Sequence, residues 1–114
     1  MDLFDELIGE QLSAVTFVQD YFQLWFDGPG INVTNPTTIK QGDKVIISWS
    51  EGFRDSICAQ ITKVVTKVEL KENVHFRVVF RDNSFISVSL KLSDYNSPEA
   101  IYAHGFVNKG WVVL

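Results

Sequence analysis

The chain has 114 residues, of which 46% are hydrophobic and 13% aromatic, and its net charge is −4. This composition is typical of a globular protein and excludes an intrinsically disordered chain, while no apolar run reaches the roughly 18 residues of a membrane span. The single cysteine, Cys58, excludes an internal disulfide. Because the first residues are acidic and lack the basic region of a secretory signal, we expect one cytoplasmic domain, residues 1–114.

The first predicted unit, residues 2–34, reads as a short helix followed by three antiparallel strands. Asp2 is the expected N-cap of the helix, because Asp accepts hydrogen bonds from the first backbone N–H groups. The helix has an apolar stripe at helical spacing, which consists of Leu3, Phe4, Leu7 and Ile8. Alternating apolar residues then predict the strands, and Asp27-Gly28 is typical of a tight hairpin turn.

An extra strand is predicted over residues 44–49, where an uninterrupted apolar run indicates burial on both faces. The second unit, residues 51–90, again reads as a helix, capped by Ser50, and three strands. Its helix is expected to bury one stripe, formed by Phe53, Ile57 and Ile61. In its first strand we expect the core side to hold Val64, Val68 and Leu70. A last strand is predicted over residues 110–114.

The two units match each other at an offset of 53 to 55 residues. The matching pairs are Ile8 and Ile61, Leu12 and Val65, Val15 and Val68, Phe22 and Phe76, Leu24 and Val78, Phe26 and Phe80, Ile31 and Ile86, and Val33 and Val88. An internal repeat of this kind decides the fold, because each unit has one apolar face to bury. The sequence therefore predicts a mainly β, α+β fold of two pseudo-repeated helix-plus-three-strand units, forming a sandwich or small barrel with short helices.

The motif I-G-x-x-L-x-x-V-x-F at residues 8–17 is followed by G-F-R-D-S-I-C-A-Q-I at residues 52–61 and a hairpin with an Asp-Asn turn. This order, which spans residues 8–90, resembles small bacterial domains of unknown function, some of which are immunity proteins of polymorphic toxin systems. The resemblance implies a bacterial origin and no assigned activity. It carries over no functional residue.

Catalytic and metal-binding patterns are not found in the sequence. His75 and His104 are 29 residues apart without a third histidine, which does not provide the ligands of a zinc site. Cys58 falls on the expected core stripe of a helix, near Ile57 and Ile61, and we expect it to be a buried structural thiol. An active site would need distant residues such as His75, Asp82 and His104 to meet. We therefore expect a protein that is not an enzyme and has no cofactor and no metal.

One side of the second hairpin is predicted to be basic, and we call it the basic face. It comprises Lys63, Lys67, Lys71, Arg77 and Arg81, with His75 among them and Glu69 as the main acid. Such a face is able to bind phosphate groups, but it lacks the interleaved aromatic residues that stack on bases. Lysine and arginine on an exposed strand also keep a protein soluble. We therefore expect a solvated face and no nucleic acid partner.

The corresponding side of the first hairpin, the Trp25 face, has almost no charge. It comprises Ala14, Thr16, Val18, Tyr21, Gln23 and Trp25. Exposed Trp and Tyr among small neighbours indicate a face that is buried against another part of the chain or against another molecule. Three covers fit the pattern: the chain's own strand 44–49 or C-terminal segment, a second copy of the protein, or a different partner.

A non-catalytic protein-binding module is the function that these patterns favour. Its expected surface combines the Tyr21 and Trp25 side chains with acidic residues of the first helix, namely Asp2, Asp5, Glu6 and Glu10. The sharper hypothesis is an immunity-type protein, since residues 1–39 contain six acids and no Lys or Arg, and acidic patches attract basic toxins. The alternative is a small-ligand binder with Trp25, Trp49 or Trp111 at the mouth of a barrel. Pairing of two copies through the Trp25 face is compatible with either function.

Overall fold

The computed structural model of the chain describes residues 3–106 and 110–114, with two five-stranded antiparallel sheets and short helices. Asp2 lies outside the described residues. The helices are a 3₁₀ helix, Leu3–Leu7, a second 3₁₀ turn, Leu92–Asp94, and the α-helix α1, Phe53–Cys58. The strands are β1 Ala14–Phe17, β2 Phe22–Trp25, β3 Gly30–Val33, β4 Thr37–Gln41, β5 Lys44–Ile47, β6 Val65–Lys71, β7 His75–Phe80, β8 Phe85–Ser89, β9 Ile101–Phe106 and β10 Gly110–Val113.

Each sheet joins a three-stranded meander to a hairpin from elsewhere in the chain. The first sheet has the order β1-β2-β3-β9-β10, and the second has the order β5-β4-β8-β7-β6. Hairpin β4–β5 follows the first meander in sequence but pairs with the second, through β8. Hairpin β9–β10 follows the second meander but pairs with the first, through β3. The prediction of a mainly β, antiparallel fold with short helices is therefore confirmed.

Apolar residues of both sheets bury into one hydrophobic core, as their alternation along the strands predicts. In β2 and β7 the buried side chains include Phe22, Leu24, Phe76 and Val78. The 3₁₀ helix contributes Phe4, whose ring centroid lies 4.7 Å from that of Phe76 in β7 and 5.6 Å from that of Phe106 in β9. Phe4 therefore contacts both sheets.

The helices differ in detail from their predictions. Ile8 is 47% exposed, because the 3₁₀ helix ends at Leu7 and the chain turns at Gly9, where φ is +90°. Helix α1 begins at Phe53, and its N-cap is Gly52 with φ +85° and no side-chain hydrogen bond, so the expected cap at Ser50 was wrong. Instead, the Ser50 hydroxyl donates to the carbonyl of Ile47.

Two strand predictions were also wrong. Val65, not Val64, is buried in β6, because a bulge at Thr66 shifts the register between Val65 and Lys67. Leu70, near the end of the same strand, is 41% exposed. The extra strand 44–49 ends at Ile47 and is not buried on both faces, since it is the last strand of its sheet.

Candidate functional site

Strand β5 presents two large apolar side chains to solvent at the edge of the second sheet. Val45 is 54% exposed and Ile47 is 57% exposed, whereas Ile46 between them packs against the core. This alternation follows from the pleat, because successive side chains of a strand point to opposite faces. The sheet therefore places both apolar side chains on its outer face, at its border.

The backbone of the same two residues faces away from the sheet. Ser48 donates to the carbonyl of Thr37 at 2.7 Å, which makes Thr37 and Ser48 a hydrogen-bonded pair of the β4–β5 ladder. Bonded and non-bonded pairs alternate in an antiparallel ladder, so Ile46 bonds to β4 while the N–H and C=O groups of Val45 and Ile47 point outward. The Ile47 carbonyl accepts from the Ser50 N–H at 3.2 Å. No described strand pairs with that side of β5.

Trp49 follows β5 in sequence and is exposed near the same edge, on the side where helix α1 packs. It is 45% exposed and has φ +65°, a conformation that costs about 1–3 kcal/mol for a residue with a side chain. Aromatic packing holds it there, because its ring centroid lies 5.5 Å from that of Phe53 and 6.1 Å from that of Phe22. The guanidinium of Arg54 lies 5.6 Å from the Trp49 ring centroid. We call Val45, Ile47 and Trp49 the β5-edge patch.

A pocket lies behind this patch, between the inner side of β4–β5 and helix α1. Its volume is about 210 Å³. Apolar side chains of Ile39, Ile46 and Ala59 contribute to its wall, and Lys44 and Asp55 add one charge of each sign. The pocket and the outward backbone of Val45 and Ile47 therefore lie at the same edge of one sheet.

One acid, Glu69, offsets part of the charge of the basic face. Glu69 makes three contacts there: Lys67 at 2.9 Å, the His75 imidazole at 3.5 Å and Arg77 at 3.7 Å. The hydrogen bond from Lys67 lowers the pKa of Glu69. Burial, followed by the charge of Arg77, lowers the pKa of His75. Lys71 and Arg81 are exposed, at the end of β6 and after β7.

Lys63 was expected on the basic face, but it lies before β6 in a half-buried network. Its ammonium contacts the Asp82 carboxylate at 2.8 Å and donates to Gln60 at 2.8 Å and to Ser84 at 3.1 Å. Gln60 and Ser84 are buried, so the network satisfies polar groups inside the fold. The hydrogen bond from Lys63 lowers the pKa of Asp82 to about 2. This cluster ties the end of α1 to the β7–β8 turn.

The Trp25 face lies on the outer side of the first sheet. The Trp25 ring centroid is 5.1 Å from the His104 ring of β9, over Gly30, and its indole N–H donates to the Thr16 hydroxyl at 3.2 Å. A side chain at position 30 would clash with both rings, so glycine there permits their contact. Tyr21 lines a shallow pocket of about 310 Å³ with Asn32, Thr34, Glu99 and Tyr102.

The acidic residues of the first helix are not brought to the Trp25 face by any described contact. Asp5, Glu6 and Glu10 are half-buried, and the backbone carbonyl of Glu10 accepts from the Val65 N–H at 2.9 Å beside β6. Trp25 instead packs on His104, within the first sheet. Asp2 lies outside the described residues, so the predicted combination of helix and Trp25 face stays a prediction.

Candidate reactive residues are also separated. Cys58 is exposed and not buried, because the inward residue of α1 is Ile57, one position earlier. His75 contacts Glu69 in the second sheet and Asp82 contacts Lys63 beside it, whereas His104 contacts Asn32 in the first sheet. Among the described residues, no group of three or more His, Cys, Asp or Glu side chains is arranged to hold a metal ion. In the same part of the chain, no helix has the length and apolar content that a membrane crossing requires.

In comparisons with known proteins, the chain matches no protein-family model, no curated protein and no solved structure. The candidate site therefore rests on the geometry of this chain alone. Sequence reasoning missed the β5-edge patch because a short apolar run reads equally well as a central or as an edge strand. The available signal was Gln41-Gly42-Asp43, a tight turn that makes residues 44–49 the outer half of a hairpin.

Proposed function

We propose that this protein is a non-catalytic protein-binding module that docks its partner on the β5-edge patch. The observation that carries the proposal is the exposure of Val45, Ile47 and Trp49, which is 54%, 57% and 45% on one sheet edge. Large exposed apolar side chains at one sheet edge are a feature of interaction sites. Trp and Arg are the residue types that contribute most to binding energy at interfaces, and Trp49 and Arg54 lie together here.

The charge beside the patch favours an acidic protein partner. Lys40 lies opposite Val45 on β4, next to the patch. The whole chain is −4, so a positive charge at this edge orients an acidic group of an approaching partner. The Arg77 guanidinium lies 4.1 Å from the Phe85 ring centroid, and this contact leaves that ring less open to a nucleic acid base.

The test is capture of partners from a bacterial lysate with the wild-type chain and with V45K/I47K. Both positions are exposed, so the double variant should keep its stability within about 0.5 kcal/mol. A partner that binds the wild type should be lost with V45K/I47K and retained with the matched control K67A/K71A at the other edge of the sheet. Partners that bind all three proteins equally would overturn the proposed surface.

The immunity-type hypothesis is a competing version of the same function. It is supported by the acidic character of Asp5, Glu6 and Glu10, and it requires a basic toxin and a bacterial, cytoplasmic source. Neutralising these residues together with Asp2 should then lower the association rate and its dependence on salt. An unchanged association rate would remove the helix from the interface.

A small-ligand binder is the alternative function, and the pocket beside Tyr21 and Tyr102 is the geometry that favours it. Its wall combines two phenol rings with the Asn32 amide, a mixture typical of ligand sites. Among the described residues, tryptophan lines neither this pocket nor the one behind β5. A screen of metabolites by protection from thermal unfolding, compared between the wild type and Y102A, tests this alternative.

For the architecture, we propose a sandwich of two pseudo-repeated units related by an approximate twofold axis. Support comes from strand registers, because Phe22 pairs with Val33 as Phe76 pairs with Val88. In the same way, Val15 pairs with Leu24 as Val68 pairs with Val78. These are the residues matched by the sequence offset, so the units agree in pairing as well as in pattern.

Hydrogen bonds between the two units support the same axis. The Gly9 N–H donates to the Val65 carbonyl at 2.8 Å, and the Thr62 N–H donates to the Leu12 carbonyl at 2.8 Å. Gly9 corresponds to Thr62 and Leu12 to Val65 at an offset of 53, so the two bonds are reciprocal. Both Gly9 and Thr62 have positive φ, at +90° and +84°. A duplicated ancestral unit explains why Thr62 adopts a conformation that glycine prefers.

A further inference from the structure

We propose that the β5 edge binds an extended segment of a partner protein, which adds to the second sheet as a further strand and places an apolar side chain in the pocket between β5 and α1. This inference rests on the proposed protein-binding function and specifies the chemistry of the partner. Two features of the same edge carry it: the outward backbone of β5 and the adjoining pocket.

The outward backbone of β5 determines that the occupant is an extended chain. Val45 directs both its N–H and its C=O away from β4, and Ile47 directs its N–H the same way. These groups alternate in the spacing of a β-ladder, and only another extended backbone offers acceptors and donors at that spacing. A folded surface presenting side chains would cover Val45 and Ile47 but would leave these backbone groups to water.

The pocket determines which type of side chain the added strand has at the position opposite it. Side chains of an added strand alternate between the two faces of the sheet. Those on the outer face would pack beside Val45 and Ile47, and the one between them would lie beside Ile46, where the pocket opens. Ile39, Ile46 and Ala59 give that pocket an apolar wall, and its volume of about 210 Å³ has room for a leucine, methionine or phenylalanine side chain. Alternate side-chain pockets are the means by which strand addition becomes specific.

A second copy of this chain fits the edge less well. If two β5 edges paired about a twofold axis through Ile46, the inward residue beside the pocket would be Ile46 of the second copy. Ile46 already packs against its own hydrophobic core, so it is not available to fill a neighbour's pocket. A separate extended segment has no such constraint, because its inward side chain has no other contact.

The experiment uses a phage-displayed library of random linear 12-residue peptides, selected on the full chain. The selected peptides should share an apolar residue at one position. At saturation they should slow hydrogen exchange of the Val45 and Ile47 amides by about tenfold or more, while the Ile46 amide, already bonded to β4, changes little. The variant A59L, which fills the pocket, should weaken binding by about tenfold, which corresponds to 1.4 kcal/mol. The matched control S93L adds the same side chain at an exposed site elsewhere.

The outcomes separate this inference from the proposed function. Peptides that bind without protecting Val45 and Ile47, or a selection that yields no binder, would overturn strand addition, and the V45K/I47K capture experiment would still report on protein binding. Protection of both amides with equal affinity for A59L and S93L would overturn the role of the pocket. Protection in the free protein that grows with its concentration would make a second copy the occupant and overturn the proposal. Loss of captured partners with K67A/K71A instead would place the docking surface at the other edge.

Discussion

The two edges of the second sheet, β5 and β6, are built in opposite ways. Strand β6 has a bulge at Thr66 and three charged residues, Lys67, Glu69 and Lys71, in its last five positions. Strand β5 has an uninterrupted register with β4, and its outward side chains are Val45 and Ile47. Bulges and charges are the devices that stop an edge from pairing with another chain. The molecule therefore protects one edge and leaves the other competent to pair.

The neighbours of the two strands increase this difference. Residues 9–12 run beside the start of β6, where the Gly9 N–H donates to the Val65 carbonyl and the Val65 N–H donates to the Glu10 carbonyl. Apart from its partner strand β4, β5 has helix α1 as a neighbour, which lies on the inner side of the sheet and leaves a pocket. The start of β6 is therefore part of the core, and β5 is surface.

The largest expected effect comes from equal truncations in the two strands. V65A removes two methyl groups from a side chain that is 1% exposed and should lower the free energy of unfolding by about 2 kcal/mol. V45A removes the same groups from a side chain that is 54% exposed and should change it by less than about 0.5 kcal/mol. Urea unfolding followed by tryptophan fluorescence measures both. Equal losses would mean that β5 is buried in solution.

A smaller effect is expected from the ion pair that anchors the start of β6. The pKa of Asp82 is about 2, below its ordinary value of 3.8, so the carboxylate stabilises the fold above pH 3.8 and this contribution is lost as the pH falls from 3.8 towards 2. Because the Asp82 side chain is 48% exposed, solvent screening reduces the contribution to about 1 kcal/mol. D82N should lower the free energy of unfolding at pH 7 by that amount. It should also flatten the curve of this free energy against pH between pH 3.8 and pH 2.

The matched control for that prediction is D43N, in the β4–β5 turn at the other edge. Because Asp43 is exposed, D43N should change the free energy of unfolding at pH 7 by less than about 0.5 kcal/mol. If D82N followed the wild-type curve, the Lys63 contact would make no net contribution, and β6 would be held by its apolar contacts alone.

The smallest effect is expected at the centre of the basic face. Glu69 raises the pKa of His75 against burial and the charge of Arg77, which lower it. E69Q removes the raising influence, so the pKa of His75 should fall further below 6.5. Titration of the imidazole protons by NMR measures the change, with E72Q in the neighbouring turn as the control. An unchanged pKa in E69Q would mean that another acid, and not Glu69, faces the imidazole.

Local alternation predicted most of the core correctly. Phe22, Leu24, Phe76 and Val78 were expected inside and are each 1% exposed, because the period of two is visible within a single strand. The bulge at Thr66 broke this rule. Because the bulge adds one residue to β6, the side chains before it point to the opposite face from the one that simple alternation predicts. Val65 and not Val64 is therefore buried.

The candidate site was harder to predict because it depends on strand order. Residues 44–49 have the composition of a central strand, and only the pairing of β4 with β8, nearly fifty residues further along the chain, shows that β5 is the outermost strand. The contact of Trp25 with His104 depends in the same way on β3 pairing with β9. Cys58 was placed inside because the sequence does not show that only Phe53 and Ile57 of α1 reach the core.

The exchange of hairpins between the sheets has a consequence for how the chain folds. Strand β3 obtains its neighbour β9 about seventy residues later, and β8 obtains its neighbour β4 from nearly fifty residues earlier. Neither sheet is complete until both halves of the polypeptide have been synthesised. Pairings so distant in sequence make folding slow, because a long loop must close before the contact stabilises it. During translation, the first fifty residues therefore emerge while β3 still lacks its neighbour β9 and hairpin β4–β5 still lacks its neighbour β8.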